Sequence, residues 1–329
     1  MASLQGSNIA CETRPLVLIH QWSSSNLNFN DWLQARFRLL EPNHPAFPFL
    51  SKSCRALVCV GAAPLTSENL RQYPSLELVV GTSTGLDHID IALCHRSGVK
   101  VTNVGNAFSE DVADYAVGLY MDVLRRISAA DRFSRTGMWP VMGSYALAGK
   151  FLTMQLGGKR VGIVGLGNIG LLIAKRLEAC GCIIKYTSRK KKPDIPHLFY
   201  ANVSDLAADS DALIVCCALT KETRHLINKD VMTSLGKNGV IINIGRGALI
   251  NEKELVDFLV RGEIGGAGLD VYEDEPSVPE ELFGSDNVVL SPHRAICTPE
   301  SMAALQNVVI GNLEAFFANK PLLSEIKFE

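Results

Sequence analysis

The fold of this chain is decided by Arg160-Val-Gly-Ile-Val-Gly165-Leu-Gly167-Asn-Ile-Gly170. The apolar run before Gly165 predicts a buried strand, and the segment 171–181 after the glycines predicts a helix. In such a unit Gly165 permits a tight turn, Gly167 lets backbone approach a pyrophosphate, and Gly170 lets the helix pack on the strand. The helix N-terminus favours phosphates. This context predicts a dinucleotide site; the alternative is a purely structural turn.

The composition narrows the class of protein. A chain of 329 residues is long enough for two domains of ordinary size. Its formal net charge of −2 gives no electrostatic reason to expect nucleic acid or an anionic membrane as a partner, and no apolar run approaches the roughly 18 residues that a membrane span needs. We therefore expect a globular protein with neither nucleic acid nor a membrane as partner.

The N-terminus and the cysteines indicate a compartment. Met1 to Arg14 lacks the features of a signal or transit peptide, so we expect a short leader on a cytoplasmic protein. The nine cysteines are scattered, and several lie in apolar runs, as free thiols do. No Cys-x-x-Cys pair or zinc-type Cys/His spacing occurs, and we predict no metal.

Short apolar runs alternate with helical stretches along the chain. The predicted strands are 15–20, 56–60, 76–80, 99–103, 160–164, 183–187, 212–218, 239–244, 266–271 and 288–290. Helices between strands imply parallel βαβ units, so the fold class is α/β with two sheets. The pattern leaves open whether both termini belong to the first domain.

Several helices are also predicted. The longest runs from Ser109, a suitable N-cap, to about Thr136, and it would link the domains or face another subunit. A loop of small residues follows at 137–158, in which Trp139 and Met142 either line a pocket or simply pack. Further helices are predicted at 228–235, 251–260 and 301–319.

The strand after the glycine unit indicates which dinucleotide binds. It ends Thr187-Ser188-Arg189-Lys190 with no acid about 20 residues beyond the glycines, where an NAD site places one. Ser188 can donate a hydrogen bond to a 2′-phosphate, and Arg189 and Lys190 supply positive charge. We predict that NADP(H) is preferred over NAD(H) by roughly tens- to hundreds-fold. The alternative is a solvated basic turn.

Three later stretches carry candidate chemistry. They are Asn243-Ile-Gly-Arg246-Gly247, Gly268-Leu-Asp270-Val-Tyr-Glu273-Asp-Glu275-Pro276 and Leu290-Ser-Pro-His293. Each follows a predicted strand, where doubly wound sheets place ligands. The forked guanidinium of Arg246 suits a carboxylate, and His293 can protonate the alkoxide formed when hydride reduces a ketone. Taken alone, a histidine at a strand end is more often structural; the three stretches together favour catalysis.

These motifs, with Thr82-Ser-Thr-Gly85-Leu-Asp-His88, resemble the D-isomer-specific 2-hydroxyacid dehydrogenases, and among them the plant glyoxylate/hydroxypyruvate and hydroxyphenylpyruvate reductases. The resemblance covers about Pro15 to Pro321. It implies two Rossmann-like, doubly wound domains with a cleft between them that closes over substrate. The substrate domain would be 1–106 plus 297–329, and the dinucleotide-binding domain 107–296. A homodimer built on the helix after Ser109 is also implied.

The resemblance assigns a role to each matched residue. Arg246 would bind the substrate carboxylate and polarise the ketone, His293 would be the acid/base, and Glu275 would pair with His293. Thr84 and Gly85 would hold the carboxylate through backbone N–H groups. The implied cofactor contacts are Gly165, Leu166, Gly167, Asn168, Ile169, Ser188, Arg189, Lys190, Cys217, Thr223, Ile244, Asp270, His293 and Ala295.

Two positions depart from the pattern. Arg294 stands where relatives often carry a smaller or apolar residue, and its side chain either adds charge near the substrate or points to solvent. Ala218 stands where many relatives have proline, which should cost little function.

The expected function is NADPH-dependent reduction of glyoxylate, hydroxypyruvate or hydroxyphenylpyruvate to the D-2-hydroxy acid. One alternative is a dinucleotide-sensing regulatory protein like the C-terminal-binding-protein corepressors, which retain the Arg/Glu/His set. The basic turn, the near-neutral charge and the lack of a disordered tail disfavour it. The other alternative is an NAD-linked enzyme like phosphoglycerate dehydrogenase, disfavoured by the lack of an appended regulatory domain.

Overall fold

The computed structural model describes residues 14–21, 30–61, 63–143 and 153–327. Most of the expected leader (1–13) and the middle of the predicted loop (144–152) lie outside the described residues. The chain divides into two compact units, Met1–Phe108 with Thr298–Glu329, and Ser109–Cys297. The resemblance placed the boundaries after residues 106 and 296.

Both units are built from short strands and helices. The strands are β1 (Leu16–His20), β2 (Arg38–Leu40), β3 (Ala56–Cys59), β4 (Leu78–Gly81), β5 (Lys100–Thr102), β6 (Arg160–Val164), β7 (Ile183–Thr187), β8 (Leu198–Tyr200), β9 (Ala212–Val215), β10 (Val240–Asn243), β11 (Gly266–Leu269) and β12 (Val288–Leu290). The helices are α1 (Asn30–Gln34), α2 (Phe47–Leu50), α3 (Ser67–Arg71), α4 (Ile91–Arg96), α5 (Ser109–Arg125), α6 (Ile127–Arg135), α7 (Trp139–Met142), α8 (Asn168–Ala179), α9 (Val203–Ala208), α10 (Lys229–Leu235), α11 (Glu252–Val260) and α12 (Pro299–Phe317). Single 3₁₀ turns cover Ser51–Ser53, Gly247–Leu249 and Glu280–Leu282.

The first unit contains a five-stranded parallel sheet in the order β2-β1-β3-β4-β5. The inner strands are buried along nearly their whole length, and Leu18, Leu57 and Val79 are completely inaccessible to solvent. Strands covered on both faces show continuous apolar runs rather than an alternation of apolar and polar residues. This is why the apolar runs of the sequence predict them. The three-residue edge strand β2 was not predicted, because it is too short to show a pattern.

The second unit contains a seven-stranded parallel sheet in the order β12-β11-β10-β9-β6-β7-β8. The chain runs from β6 outward through β7 and β8, then returns to β9 on the other side of β6. The strand order therefore reverses between β6 and β9, and doubly wound sheets bind ligands beyond the carboxyl ends of their strands at such a point. The predicted α/β class with two parallel sheets is confirmed.

Most predicted strands and helices are confirmed with shifted ends. The largest shifts are three residues, at 212–218, where β9 already ends at Val215, and at 171–181, where α8 already begins at Asn168. The prediction of one helix from Ser109 to Thr136 is wrong. Arg126 adopts a left-handed conformation with φ 57° and separates α5 from α6. Its buried guanidinium donates to the backbone oxygens of Asp286 (3.2 Å) and Gly265 (3.3 Å). A tertiary contact, and not a helix-breaking residue, ends α5.

The segment after α6 is not entirely a loop, since α7 forms a single turn with Pro140 in its first positions. Trp139 exposes 65% of its surface, and Met142 is also exposed. Neither side chain belongs to the buried core, and the choice between lining a pocket and packing against other groups stays open.

Across residues 14–21, 30–61, 63–143 and 153–327, no helix is both long and apolar enough to cross a bilayer. Over the same ranges, no three His, Cys, Asp or Glu side chains come together in a way that could hold a metal ion.

Tyr120 of α5 is fully buried, and its hydroxyl has no hydrogen-bond partner among the described residues. Since an unpaired buried polar group costs roughly 1–3 kcal/mol, we expect Tyr120→Phe to raise the midpoint of urea unfolding. The control is Tyr115→Phe on the same helix, which should lower the midpoint because the Tyr115 hydroxyl is bonded to Ser291 Oγ at 2.6 Å. A Tyr120→Phe variant less stable than the parent protein would contradict this expectation.

Candidate active site

The glycine turn lies at the point where the strand order reverses. Gly165 has φ 104°, and a Cβ built there would lie 2.6 Å from the Cα of Cys217, in the segment that follows β9. Only glycine meets both conditions. A Cβ at Gly170 would lie 2.3 Å from the Gly165 oxygen, so α8 can approach the turn only because this residue also lacks a side chain.

The packing of the protein does not explain Gly167. Its φ is −82°, it is the N-cap of α8, and a Cβ there would meet nothing within 4 Å. Neither conformation nor packing among the described residues requires glycine, whereas a ligand approaching the helix N-terminus would. The turn therefore fits a pyrophosphate. Around it Leu166 is buried, Ile169 is half-buried and Asn168 is exposed.

Residues 188–190 after β7 form the basic turn, and residues 165–170 after β6 form the glycine turn. The two turns are adjacent, because Gly165 N donates to Thr187 O at 3.0 Å. Within the basic turn Ser188 Oγ donates to the backbone oxygen of Lys190 at 2.7 Å, and the side chains of Arg189 and Lys190 are exposed. The Ser188 hydroxyl thus shapes the turn, and it would have to rotate to donate to a phosphate. The two cations are presented to solvent beside the glycine turn.

A third turn follows β9. Thr223 Oγ1 donates to the backbone oxygen of Ala218 at 2.8 Å and accepts from Thr220 N at 2.7 Å, which closes the turn without a proline at position 218. Cys217 is half-buried, and burial raises the pKa of its thiol to about 11. At neutral pH this cysteine is a neutral thiol, so it offers no nucleophile to a ligand.

The loop after β10 carries Arg246. The side chain of Asn243 donates to the Arg246 oxygen (2.9 Å) and accepts from Gly245 N (3.1 Å), which fixes the turn. Arg246 is half-buried, and its Nη1 donates to the oxygen of Gly245 at 2.9 Å. A Cβ at Gly247 would lie 1.9 Å from the carbonyl carbon of Tyr272. The Arg246 loop is thus packed directly against the backbone that follows β11.

His293 and Glu275 form a hydrogen-bonded pair, with 2.8 Å between His293 Nδ1 and Glu275 Oε2. The other carboxylate oxygen of Glu275 accepts from Tyr272 N at 3.1 Å. Burial alone would raise the pKa of Glu275, but the bond and charge of His293, the Tyr272 N–H and the charge of Arg246 together hold it below its ordinary value. Glu275 is therefore ionised at neutral pH, and Arg246 lies within electrostatic reach of the pair.

The loop that presents His293 is built on Asp270, which is only 1% exposed. His293 N donates to the backbone oxygen of Asp270 at 2.8 Å, and the Asp270 carboxylate accepts from Arg294 N (2.8 Å) and Ala295 N (3.1 Å). His293 has φ 52°, a conformation that costs a non-glycine residue roughly 1–3 kcal/mol. Three backbone N–H groups bonded to one residue hold the loop in this shape.

A family model of the D-isomer specific 2-hydroxyacid dehydrogenase NAD binding domain matches residues 117–295, the part of the chain that contains the glycine turn, Arg246, Glu275 and His293. The chain belongs to the D-isomer-specific 2-hydroxyacid dehydrogenase family. The dehydrogenase is therefore an oxidoreductase with a dinucleotide-binding domain, and the resemblance drawn from its motifs is confirmed.

Individual relatives agree with this assignment. The dehydrogenase is 52% identical to a glyoxylate/hydroxypyruvate reductase of Arabidopsis thaliana over 96% of this chain and 98% of that protein. It is 47% identical to a hydroxyphenylpyruvate reductase of Plectranthus scutellarioides over 89% of this chain and 94% of that one. A solved structure of an NADPH-dependent glyoxylate/hydroxypyruvate reductase from Sinorhizobium meliloti, in complex with NADP and malonate, aligns with TM-score 0.85 and 32% identity over 95% and 97% of the two chains.

The remaining predicted residues of the dehydrogenase are placed as follows. Thr84 and Gly85 belong to the first unit, in the loop after β4, where their oxygens accept from the side chains of Asn103 (3.1 Å) and Ser83 (2.7 Å). In the second unit, Ile244 is buried. The side chain of Arg294 is exposed, which fits both alternatives for this residue.

Sequence reasoning missed two residues beside this site. Tyr115 of α5 lies inside the helix predicted from Ser109 and was given no role, and Ser291 was quoted without a role. In the dehydrogenase, Tyr115 Oη lies 2.6 Å from Ser291 Oγ, which in turn donates to Asp270 Oδ1 at 2.6 Å. A hydroxyl within an apolar helical stripe was the one available signal, and it does not identify its partner.

Proposed function

We propose that this dehydrogenase reduces a small 2-oxo acid (glyoxylate, hydroxypyruvate or hydroxyphenylpyruvate) to the D-2-hydroxy acid, with NADPH as reductant. The observation that carries the proposal is the 2.8 Å contact between His293 Nδ1 and Glu275 Oε2, within electrostatic reach of Arg246. The names of the plant relatives support the substrate class. The NADP-bound Sinorhizobium structure supports the cofactor.

Different residues of the second unit would position the proton donor, transfer the proton and bind the substrate. NADPH, when bound, would supply the hydride. Glu275 holds Nδ1 of His293 and, being ionised, favours the imidazolium, so that Nε2 of His293 can give its proton to the forming alkoxide. Arg246 would bind the substrate carboxylate with its forked guanidinium and polarise the ketone.

The residues proposed to hold NADP(H) follow six strands of the second sheet. The glycine turn and the N-terminus of α8 would take the pyrophosphate, and the basic turn would take the 2′-phosphate. The proposed contacts are Gly165, Leu166, Gly167, Asn168, Ile169, Ser188, Arg189, Lys190, Cys217, Thr223, Ile244, Asp270, His293 and Ala295. Substrate binding by Thr84 and Gly85 stays a prediction.

The function is tested by initial rates of NADPH oxidation with glyoxylate, hydroxypyruvate, hydroxyphenylpyruvate and pyruvate. We expect saturable turnover with at least one of the first three acids and a D-configured product by chiral chromatography. Tight NADPH binding without turnover on any of the four would reject the reductase and favour the dinucleotide-sensing alternative.

The cofactor preference is tested by comparing NADPH with NADH and by Arg189→Ala. We expect a lower apparent KM for NADPH in the parent enzyme, and a rise of about 10- to 100-fold in that KM on loss of one charge-assisted contact. The KM for NADH should hardly change. Lys237→Ala is the control, because Lys237 is exposed in the turn before β10, at the amino end of the strands. Equal KM values for NADPH and NADH in the parent enzyme would refute the preference.

The resemblance implies a homodimer built on the helix after Ser109, and we propose that its contacts include α6 and α7. These two helices and the segment between them carry several exposed apolar side chains, which are Ile127, Met138, Trp139, Val141 (77% exposed) and Met142. Exposed apolar side chains this numerous favour a contact with another protein, and a second copy is the proposed occupant. Light scattering should give the mass of a dimer for the parent protein and a smaller mass for Val141→Glu. A monomeric parent would rule the proposal out.

The cytoplasmic location also stays a prediction. Imaging a fluorescently tagged protein in its own cells would test it, and accumulation inside an organelle would contradict it.

A further inference from the structure

Tyr115 begins a chain of hydrogen bonds that ends on the His293 loop. Tyr115 Oη and Ser291 Oγ are 2.6 Å apart, and Ser291 Oγ donates to Asp270 Oδ1 at 2.6 Å. A serine hydroxyl has a single hydrogen, and here Asp270 receives it. Tyr115 must therefore be the donor to Ser291. The hydrogen bonds therefore run in one direction, from the Tyr115 hydroxyl to Ser291 and from Ser291 to the Asp270 carboxylate.

The same carboxylate shapes the loop. Asp270 Oδ1 also accepts from Arg294 N (2.8 Å), and Oδ2 accepts from Ala295 N (3.1 Å). Ser291 is 5% exposed and Asp270 is 1% exposed, so each lost bond would leave a polar atom in a dry environment. The Ser291 hydroxyl is the side-chain donor that orients the carboxylate toward the two backbone N–H groups.

Ser291 is also tied to the loop that carries Glu275. Ser291 N donates to the Tyr272 hydroxyl at 3.1 Å, and the backbone N of Tyr272 donates to Glu275 Oε1 at 3.1 Å. Ser291 is therefore linked to both members of the pair. Its side-chain oxygen leads through Asp270 to the His293 loop, and its backbone nitrogen leads through Tyr272 to Glu275. A movement of Ser291 would disturb both members of the pair.

The loop needs such support because its central residue has φ 52°. A β-region conformation would be lower in energy for His293, so the left-handed one persists only where surrounding contacts overdetermine it. We propose that Tyr115, acting through Ser291 and Asp270, is a positioning residue that holds His293 at the geometry of its bond to Glu275. The expected effect of Tyr115 on the reaction rate rests on the proposed function. Its expected effect on the position of His293 rests only on the hydrogen-bond network.

The test compares Tyr115→Phe, Ser291→Ala and their double variant in the full chain. Without the donated bond the His293–Glu275 contact loosens, and we expect kcat for reduction to fall about tenfold with little change in the KM for NADPH. The pH profile of kcat/KM should also differ from that of the parent, because a looser contact weakens the bond and charge of His293 that hold the pKa of Glu275 below its ordinary value. Since both side chains act through one chain, the double variant should be no slower than Ser291→Ala.

Tyr120→Phe is the matched control. It removes a phenol hydroxyl from the same helix, but that hydroxyl has no partner among the described residues. It should leave both kcat and the pH profile unchanged. A Tyr115→Phe enzyme with the parent profile would overturn the proposal, as would a drop in rate that is equal at every pH, since a merely structural role predicts the latter.

A second measurement separates this proposal from the function. The Nδ1 proton of His293 in its bond to Glu275 can be followed by NMR in the parent and in Tyr115→Phe, with His293→Gln used to assign the signal. Faster exchange of this proton with solvent in Tyr115→Phe supports the positioning role even if no 2-oxo acid is reduced. Identical exchange rates overturn it even if the enzyme is active.

Discussion

Replacing His293 with glutamine is expected to lower turnover of 2-oxo acids by roughly 10²–10⁴ and to leave NADPH affinity nearly intact. Glutamine can still hydrogen-bond to Glu275, at 2.8 Å from the imidazole in the parent, but it has no proton to transfer at neutral pH. The forming alkoxide would then have to take its proton from water. Steady-state rates and fluorescence titration with NADPH separate the two effects.

The chain offers a matched control for this variant. His197 also lies in the second unit beside a glutamate, with 3.6 Å between its Nδ1 and Glu178 Oε1. It precedes the edge strand β8 and is remote in sequence from the three stretches that carry the candidate chemistry. His197→Gln should therefore keep the parent turnover. If His293→Gln also turned over at the parent rate, His293 would not be the proton donor.

Arg246→Ala is expected to lower kcat/KM for the 2-oxo acid by roughly 10²–10⁴, chiefly through a higher KM. Two charge-assisted hydrogen bonds to the carboxylate, at about 1.5–3 kcal/mol each, account for that range. The charge of Arg246 also helps to keep the pKa of Glu275 low, so a smaller loss in kcat should accompany the loss in affinity. Measuring kcat and KM separately for the preferred substrate tests both parts.

Two further variants sharpen this prediction. Arg246→Lys keeps the charge but not the planar fork, and it should recover only part of the loss. Arg261→Ala is the control, because Arg261 is an exposed arginine at the end of α11. The assigned role would be abandoned if Arg246→Ala kept the parent KM for the 2-oxo acid.

The parts of the fold that the sequence predicted are those set by local pattern. The inner strands are apolar throughout because both of their faces are covered. Glycine is required at 165 and 170 because an added Cβ would lie 2.6 Å and 2.3 Å, respectively, from neighbouring backbone atoms. The end of α5 depends instead on Arg126 reaching two distant carbonyl groups. No window of the sequence contains both the arginine and its acceptors.

The candidate site shows the same division. His293, Glu275 and Arg246 follow strands and were predicted from chemistry and resemblance, and the structure brings them together. The support of His293 by Tyr115 was not predicted, because 176 positions separate Tyr115 from Ser291. Likewise, the hydrogen bond from the Ser188 hydroxyl to the backbone oxygen of Lys190 was not predicted, because it depends on the shape of the basic turn. Side-chain identity indicates what a residue can do, but only three-dimensional proximity decides what it does.

The absence of room at Gly247 has a mechanical consequence. A single added carbon would overlap the Tyr272 backbone at 1.9 Å, so no side chain separates the segment bearing Arg246 from the segment bearing Glu275. Any residue other than glycine at position 247 would force these two segments apart. The spacing between the Arg246 guanidinium and the His293–Glu275 pair is therefore set by the absence of a side chain at a single position.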